Sequence, residues 1–279
     1  MIVDFHTHTF PDRIAAFAID KLKHASHTVP FSDGTADGLK ASMAAAGIDY
    51  AVVLPVATNP LKTASMNDLS IRMTGIDGLV YFGCIHPDTE NAHAELERIV
   101  HAGLKGIKIH PVYQGVHIDD VRFLHILEKA GELGLIVLMH TGDDIGFPGV
   151  VRCSPEMTAR ALAKVGPVKL VCAHMGGWRN WERVAECLSG TSAMLDASFS
   201  LGSITPLEPG DYTREEAQML DEQTFCHLVR AFGAERILFG SDSPWADQAQ
   251  YLAKVNALPL SEAEKAAILG GNAARLLGL

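Results

Sequence analysis

Eight short aliphatic runs recur along the 279 residues, and they constrain the fold more than any other feature. They read IVDFH at 2–6, YAVVLP at 50–55, LVYFGCIHP at 79–87, GIKIHP at 106–111, LIVLMHTG at 135–142, KLVCAHMGG at 169–177, AMLDAS at 193–198 and RILFGSDSPW at 236–245. Between them lie stretches with apolar residues near a 3.6 period, at 38–46, 92–102, 120–133, 155–165, 181–188 and 214–232. Gly47, Gly103, Gly134, Gly166 and Gly233 follow five of these, where helices commonly end. Unbroken apolar runs suit strands buried on both faces, the condition that parallel sheets covered by helices create. Eight such units predict an α/β protein, a closed (β/α)8 TIM barrel over residues 1–279, with no linker, repeat or low-complexity tract to divide it.

In such a barrel the site is built at the C-terminal ends of the strands. The residues there are His6 and His8, His86, His110, His140, His174 and Asp242, with Lys108 two residues before His110. His6 and His8 are spaced i, i+2, so an extended strand points both imidazoles to one face. Histidines scattered over helices and loops would read as solvated side chains; six of the thirteen gathered at strand ends point to a metal or catalytic cluster.

Composition narrows the partners. Hydrophobic residues make up 48% of the chain and charged residues 20%, a globular balance. Lys plus Arg number 23 against 33 Asp plus Glu, a net charge of −10 that repels nucleic acid. A small-molecule substrate is expected instead, and self-association into a homo-oligomer stays open. The five cysteines, Cys84, Cys153, Cys172, Cys187 and Cys226, form no CxxC pair, so a disulfide framework is not expected and a reducing, cytoplasmic setting is. Met1 runs straight into Ile2-Val3-Asp4 without a basic leader, and no apolar run reaches membrane-spanning length; neither export nor insertion is expected.

The ordered set His6-x-His8, His140, His174 and Asp242 resembles the amidohydrolase superfamily. The neighbourhoods GIKIHP, LIVLMHTG, CAHMGG, FGSDSPW and GGNAARLLGL look like its amidohydrolase-related branch, which includes aminocarboxymuconate semialdehyde decarboxylase and many hydrolases. The resemblance covers essentially the whole chain. It implies one divalent metal per chain, commonly Zn2+, held at the positions matching His6, His8, His140 and Asp242, with His174 beside it as acid or base. Neutral imidazoles and a carboxylate suit zinc and leave room for a water made acidic by the ion. Asp242 can then accept that water's proton and deliver it to a leaving group.

Other readings compete at several positions. Asp242 sits in Ser241-Asp242-Ser243-Pro244, also a sound turn and helix start, and His140 or His174 could be buried histidines bonded to carbonyls. His86 and His110, each followed by proline, read as structural residues. In binuclear relatives a lysine on strand four is carbamylated; in the branch resembled here one metal is usual, so Lys108 is expected to be an unmodified amine that contacts substrate. Arg13, Arg152, Trp178, Arg179 and Trp245 fall after strands one, five, six and eight, where arginine can grip a carboxylate and tryptophan can stack on a planar group. The decarboxylase's substrate-binding arginine finds no matching position between Thr9 and Gly47. The expected activity is therefore metal-dependent hydrolysis of a C–N or C–O bond in a small molecule, with non-oxidative decarboxylation of an unsaturated or aromatic acid as the alternative.

Overall fold

Strands and helices alternate from one end of the chain to the other in the computed structural model, which describes residues 1–279. The strands are β1 (Val3–Thr7), β2 (Tyr50–Val53), β3 (Leu79–Tyr81), β4 (Gly83–Cys84), β5 (Gly106–Ile109), β6 (Ile136–Met139), β7 (Lys169–Cys172), β8 (Met194–Asp196) and β9 (Ile237–Leu238). The helices are α1 (Asp12–Ser26), α2 (Ala36–Ala46), α3 (Thr63–Met73), α4 (Ala92–His101), α5 (Pro111–Gln114), α6 (Val121–Glu132), α7 (Pro155–Leu162), α8 (Trp181–Leu188), α9 (Arg214–Ala217), α10 (Glu222–Phe232), α11 (Gln248–Ala257), α12 (Glu262–Ala266) and α13 (Asn272–Leu277). Strand order follows chain order, β1-β2-β3 and then β4 through β9. No helix is long and apolar enough to cross a membrane.

Two compact units make up the chain. The first holds Met1–Val52, Ile145–Pro148 and Asp196–Leu279, the second Val53–Asp144 and Gly149–Leu195. In the first, Val3, Phe5, Leu39, Phe225, Val229, Phe239 and Val255 are fully buried. In the second, β5, β6 and β7 pair in parallel register, with Lys108 opposite both Cys84 and Leu138, and Ile107, Ile109, Val137 and Leu170 have no exposed surface. Each such side chain contributes about 1.5–3 kcal/mol of burial.

Helix starts follow local chemistry. Ser154 accepts a hydrogen bond from the Met157 amide with Pro155 in the first turn, Asp221 accepts from Thr224, and Asp247 from Gln250. Asp247, five residues beyond Asp242, caps the helix after β9.

Three details depart from the sequence reading. The third apolar run is broken at Phe82, whose amide bonds the Val53 carbonyl, so β3 and β4 are separate pieces. The stretch 214–232 is two helices. Residues 218 to 220 leave the helical path to pair with 201 to 203, through Met219 N to Gly202 O at 2.8 Å and bridges Ser203–Gln218 and Leu201–Leu220, before Asp221 restarts the helix. Finally, α1, α3 and α11 lie outside the helical stretches expected from sequence; the inward face of α3 is polar, with Thr63, Asn67 and Ser70 buried.

Candidate metal centre and catalytic residues

Every residue of β1 is buried, and its alternation sets His6 and His8 on one face at the strand's end. Their Nε2 atoms are 3.2 Å apart with the rings inclined at 69°. Oδ1 of Asp242 lies 3.4 Å from Nε2 of His6 and 3.2 Å from Nε2 of His8. A tetrahedral ion with bonds of ~2.0–2.1 Å separates its ligands by about 3.3 Å, the edge of this triangle. Nδ1 of His6 is 2.8 Å from Oδ2 of Asp196 and 2.9 Å from Oγ of Ser198. An ionised carboxylate only accepts, so the His6 proton belongs on Nδ1 and Nε2 presents a lone pair to the triangle. Three electron-rich atoms so close repel one another unless a cation lies among them. The donor set and its spacing fit one divalent metal.

The backbone is shaped to bring this triad together. Asp242 has φ 68°, a left-handed conformation unfavourable for a residue with a side chain, and it is held there by Asp242 N to His6 O at 2.8 Å and His8 N to Ser243 O at 2.7 Å. Gly240 permits the approach: a Cβ there would stand 2.9 Å from His6 Cβ.

The second unit carries another cluster, also at strand ends. His110 follows β5, His140 follows β6 and His174 follows β7. His110, His140 and Asp144 bring ligand-type atoms within 4.8 Å of one another. Their geometry differs from the first triad. The rings of His110 and His140 are stacked face to face, 4.0 Å apart and inclined by 9°, so their in-plane lone pairs run parallel and do not converge on one ion. Oδ2 of Asp144 sits 3.4 Å from His110 Nε2 and 3.8 Å from His140 Nε2.

His140 Nε2 is 3.0 Å from the Asp143 carbonyl, which only accepts; the proton therefore sits on Nε2, and Nδ1 accepts from Nε2 of His174 at 3.1 Å. Burial first, then the charges of His110 and His174 and least that of Lys108, holds the His140 pKa well below the ordinary histidine value, an effect that Asp144 opposes. His140 is thus neutral near pH 7. His174 has φ 56°, and its carbonyl accepts from Trp181 Nε1 at 2.9 Å. Gly142, φ 89°, lets the loop after β6 run against the backbone of Trp178, where a Cβ would come within 2.3 Å of Trp178 N and O.

The remaining sequence candidates separate clearly. Lys108 is 1% exposed on β5. His86 is structural, its Nδ1 accepting from the Asp88 amide at 3.1 Å, and burial lowers its pKa. His110 also caps α5, its Nδ1 3.4 Å from the Tyr113 amide. Arg13 lies on the exposed side of the first turn of α1, where the sequence reading expected a loop. Trp245, half-buried, lines a shallow recess with Phe31, Phe199 and Tyr251. Arg179 stacks on Trp178 at 4.7 Å. Nε of Arg152 and Nε1 of Trp178 are buried donors without a protein acceptor.

Sequence reasoning missed Asp4, Asp144, Asp196 and Ser198. Asp196 closes the run AMLDAS and was open to the same strand-end rule that selected the histidines. Asp4 carries no such signal, being one polar residue inside an apolar strand.

The profile of the family described as Amidohydrolase matches residues 3–279. The chain belongs to that family. Among curated proteins it is 26% identical over 216 residues to the 2-amino-3-carboxymuconate-6-semialdehyde decarboxylase of Dictyostelium discoideum, a match covering 68% of this chain and 58% of that protein. The match thus spans less than two thirds of the relative's length. Among solved structures it is similar to an uncharacterised TIM-barrel protein of Bordetella bronchiseptica, with a TM-score of 0.76 and 19% identity over 99% of this chain and 98% of the other. It is also similar to a dihydroxybenzoic acid decarboxylase of Polaromonas sp. JS666, solved with bound manganese and the inhibitor 2-nitroresorcinol; the TM-score is 0.68 at 16% identity, over 100% of this chain and 97% of the other. The fold of this family member is the (β/α)8 barrel that its eight apolar runs predict. Within that family, the His6, His8 and Asp242 triangle is a donor set that can hold a metal ion.

Proposed function

We propose that the protein is a metal-dependent, non-oxidative decarboxylase of an unsaturated or aromatic carboxylic acid. The observation that carries this reading is the decarboxylase relative within a family matched across residues 3–279. It moves the weight from hydrolysis, the first expectation from sequence, to decarboxylation, the second. The chemistry balances as RCOO⁻ + H⁺ → RH + CO2: the C–C bond breaks, its electron pair stays on carbon, and a proton must be delivered there.

Residues 1–279 act as one catalytic domain in this reading. His6, His8 and Asp242 would hold a single divalent ion, zinc before manganese, and the family resemblance implies His140 as a fourth ligand. The ion supplies positive charge against which a carboxylate or neighbouring oxygen of the substrate is oriented. His174 holds the proton and delivers it to the carbon that loses CO2. Asp242 supports that transfer as a base. Lys108, unmodified, faces the substrate's charge, and Arg13 and Trp245 are carried as substrate contacts. The substrate is small, neither nucleic acid nor membrane is a partner, and five cysteines outside any disulfide suit the cytoplasm.

The test is a panel of unsaturated and aromatic acids assayed for CO2, run beside amides, esters and lactones assayed for acid release. Decarboxylation in D2O should place one deuterium on the carbon that lost CO2. Acid release from an amide or ester without CO2 from any acid would return the reading to hydrolysis.

A further inference from the structure

Asp4 is the buried residue of β1 that the chemistry above does not use. It has no exposed surface, and four donors converge on its carboxylate. Oδ1 accepts from the amides of His6 at 3.2 Å and Ser241 at 2.9 Å; Oδ2 accepts from Ser241 Oγ and from Gln248 Nε2 at 2.7 Å. These donors belong to three separate elements: the strand bearing His6 and His8, the turn bearing Asp242, and the first residue of α11. Ser241 Oγ in turn accepts from the Ser243 amide at 3.0 Å. Both neighbours of Asp242 are thereby tied to one carboxylate, while Asp242 itself bonds the His6 carbonyl.

This arrangement bears on the one strained residue of the metal triad. Asp242 keeps a left-handed φ only while its surroundings over-determine it, and the bonds to Ser241 and Ser243 supply that constraint from either side. We infer that Asp4 is a positioning residue of the metal site, locking β1 to the 240–243 turn so that His6 Nε2, His8 Nε2 and Asp242 Oδ1 stay at ligand spacing. The inference rests on the metal reading of that triad and not on the reaction assigned to it. A buried polar hub that merely stabilised the fold would sit anywhere. Asn67 is one: it bonds Cys84 N and O at 2.7 and 3.0 Å and Glu95 at 2.6 Å in the second unit, and none of these partners is a proposed ligand.

That contrast sets the experiment. Full-length wild type, Asp4→Ala, Asp4→Asn, Ser241→Ala and Asn67→Ala are stripped with chelator. Each is then titrated with Zn2+ and with Mn2+ against a fluorescent indicator, and its melting is followed with and without ion. Loss of a group that orients metal ligands typically costs 10–100-fold in affinity. Asp4→Ala and Ser241→Ala should raise the metal Kd by about tenfold or more. Asp4→Asn keeps the shape, and Gln248 can turn its unpartnered Oε1 toward the new amide, so this variant should recover much of the affinity. Asn67→Ala should lower the apo melting temperature yet leave Kd within about twofold. Wild-type Kd in Asp4→Ala and Ser241→Ala, or an equal loss in Asn67→Ala, overturns the inference. Should Asp4→Ala fail to fold, Ser241→Ala and Asp4→Asn decide: their joint wild-type affinity overturns it as well. A wild type that takes up neither ion removes the metal reading and this inference together.

Discussion

At the scale of single residues, the two histidine clusters make opposite demands on a substitution. His6 Nε2 is one corner of the triangle, and the far side of its ring is held at Nδ1 by Asp196, so His6→Ala removes a ligand and one of the hydrogen bonds to a buried carboxylate. Metal analysis of purified His6→Ala should show occupancy well below that of wild type; full occupancy refutes the ligand assignment. His174→Asn should retain most of the metal and lose about 10²-fold or more in kcat, the usual scale for a positioned acid or base. Loss of metal together with activity would make His174 a ligand instead. Lys108 is buried on β5, at the position where binuclear relatives carry a carbamate. Lys108→Ala is expected to keep one ion per chain and to raise KM or lower kcat, with metal stoichiometry indifferent to bicarbonate. Two ions per chain that need bicarbonate and vanish in Lys108→Ala would make the site binuclear.

At the scale of elements, what the sequence reveals depends on what each element buries. A strand such as Ile136–Met139, covered on both faces, shows as an uninterrupted apolar run, and α6 shows through Phe123, Ile126, Leu127 and Ala130 at helical spacing. α3 stays hidden because its inward face is polar, with Asn67 bonding the backbone of β4. The triad is legible because its members fall at strand ends in a familiar order. Its supports are not, because Asp4 and Ser198 act through bonds across 237 and 192 residues of sequence. Gly142 belongs to this scale as well. The Trp178 backbone lies where its Cβ would be, and its φ is left-handed. Gly142→Ala should therefore destabilise the protein by about 1–3 kcal/mol, the range for overpacking a tight site, and displace the loop between His140 and Asp144. Thermal melting reads the first effect, and an unchanged melting temperature would show that the β6 loop and the Trp178 turn can part without cost.

At the scale of the whole molecule, the cysteines report how completely the fold closes around its interior. None of the five forms a disulfide; Cys84, Cys153, Cys172 and Cys226 are buried and Cys187 is half-exposed. Burial first, then the nearby Glu95 carboxylate, pushes the Cys84 thiol up to about 12 from an ordinary value near 9, and burial raises Cys153, Cys187 and Cys226 as well. Reaction with a disulfide reagent needs both access and thiolate, so at pH 8 the native protein should yield one thiol quickly, Cys187, and the others only as fast as it opens. The unfolded chain should yield five. The same shift has a consequence for stability. A thiol whose pKa is higher when folded binds its proton more tightly in the native state, so its contribution is full below about 9 and is lost as pH rises through about 12. Melting temperature should accordingly fall across that window, and less steeply in Cys84→Ala once its lower starting stability is subtracted. Two or more thiols reacting within the first minute at pH 8, or equal alkaline slopes for wild type and Cys84→Ala, would contradict a closed interior around Cys84.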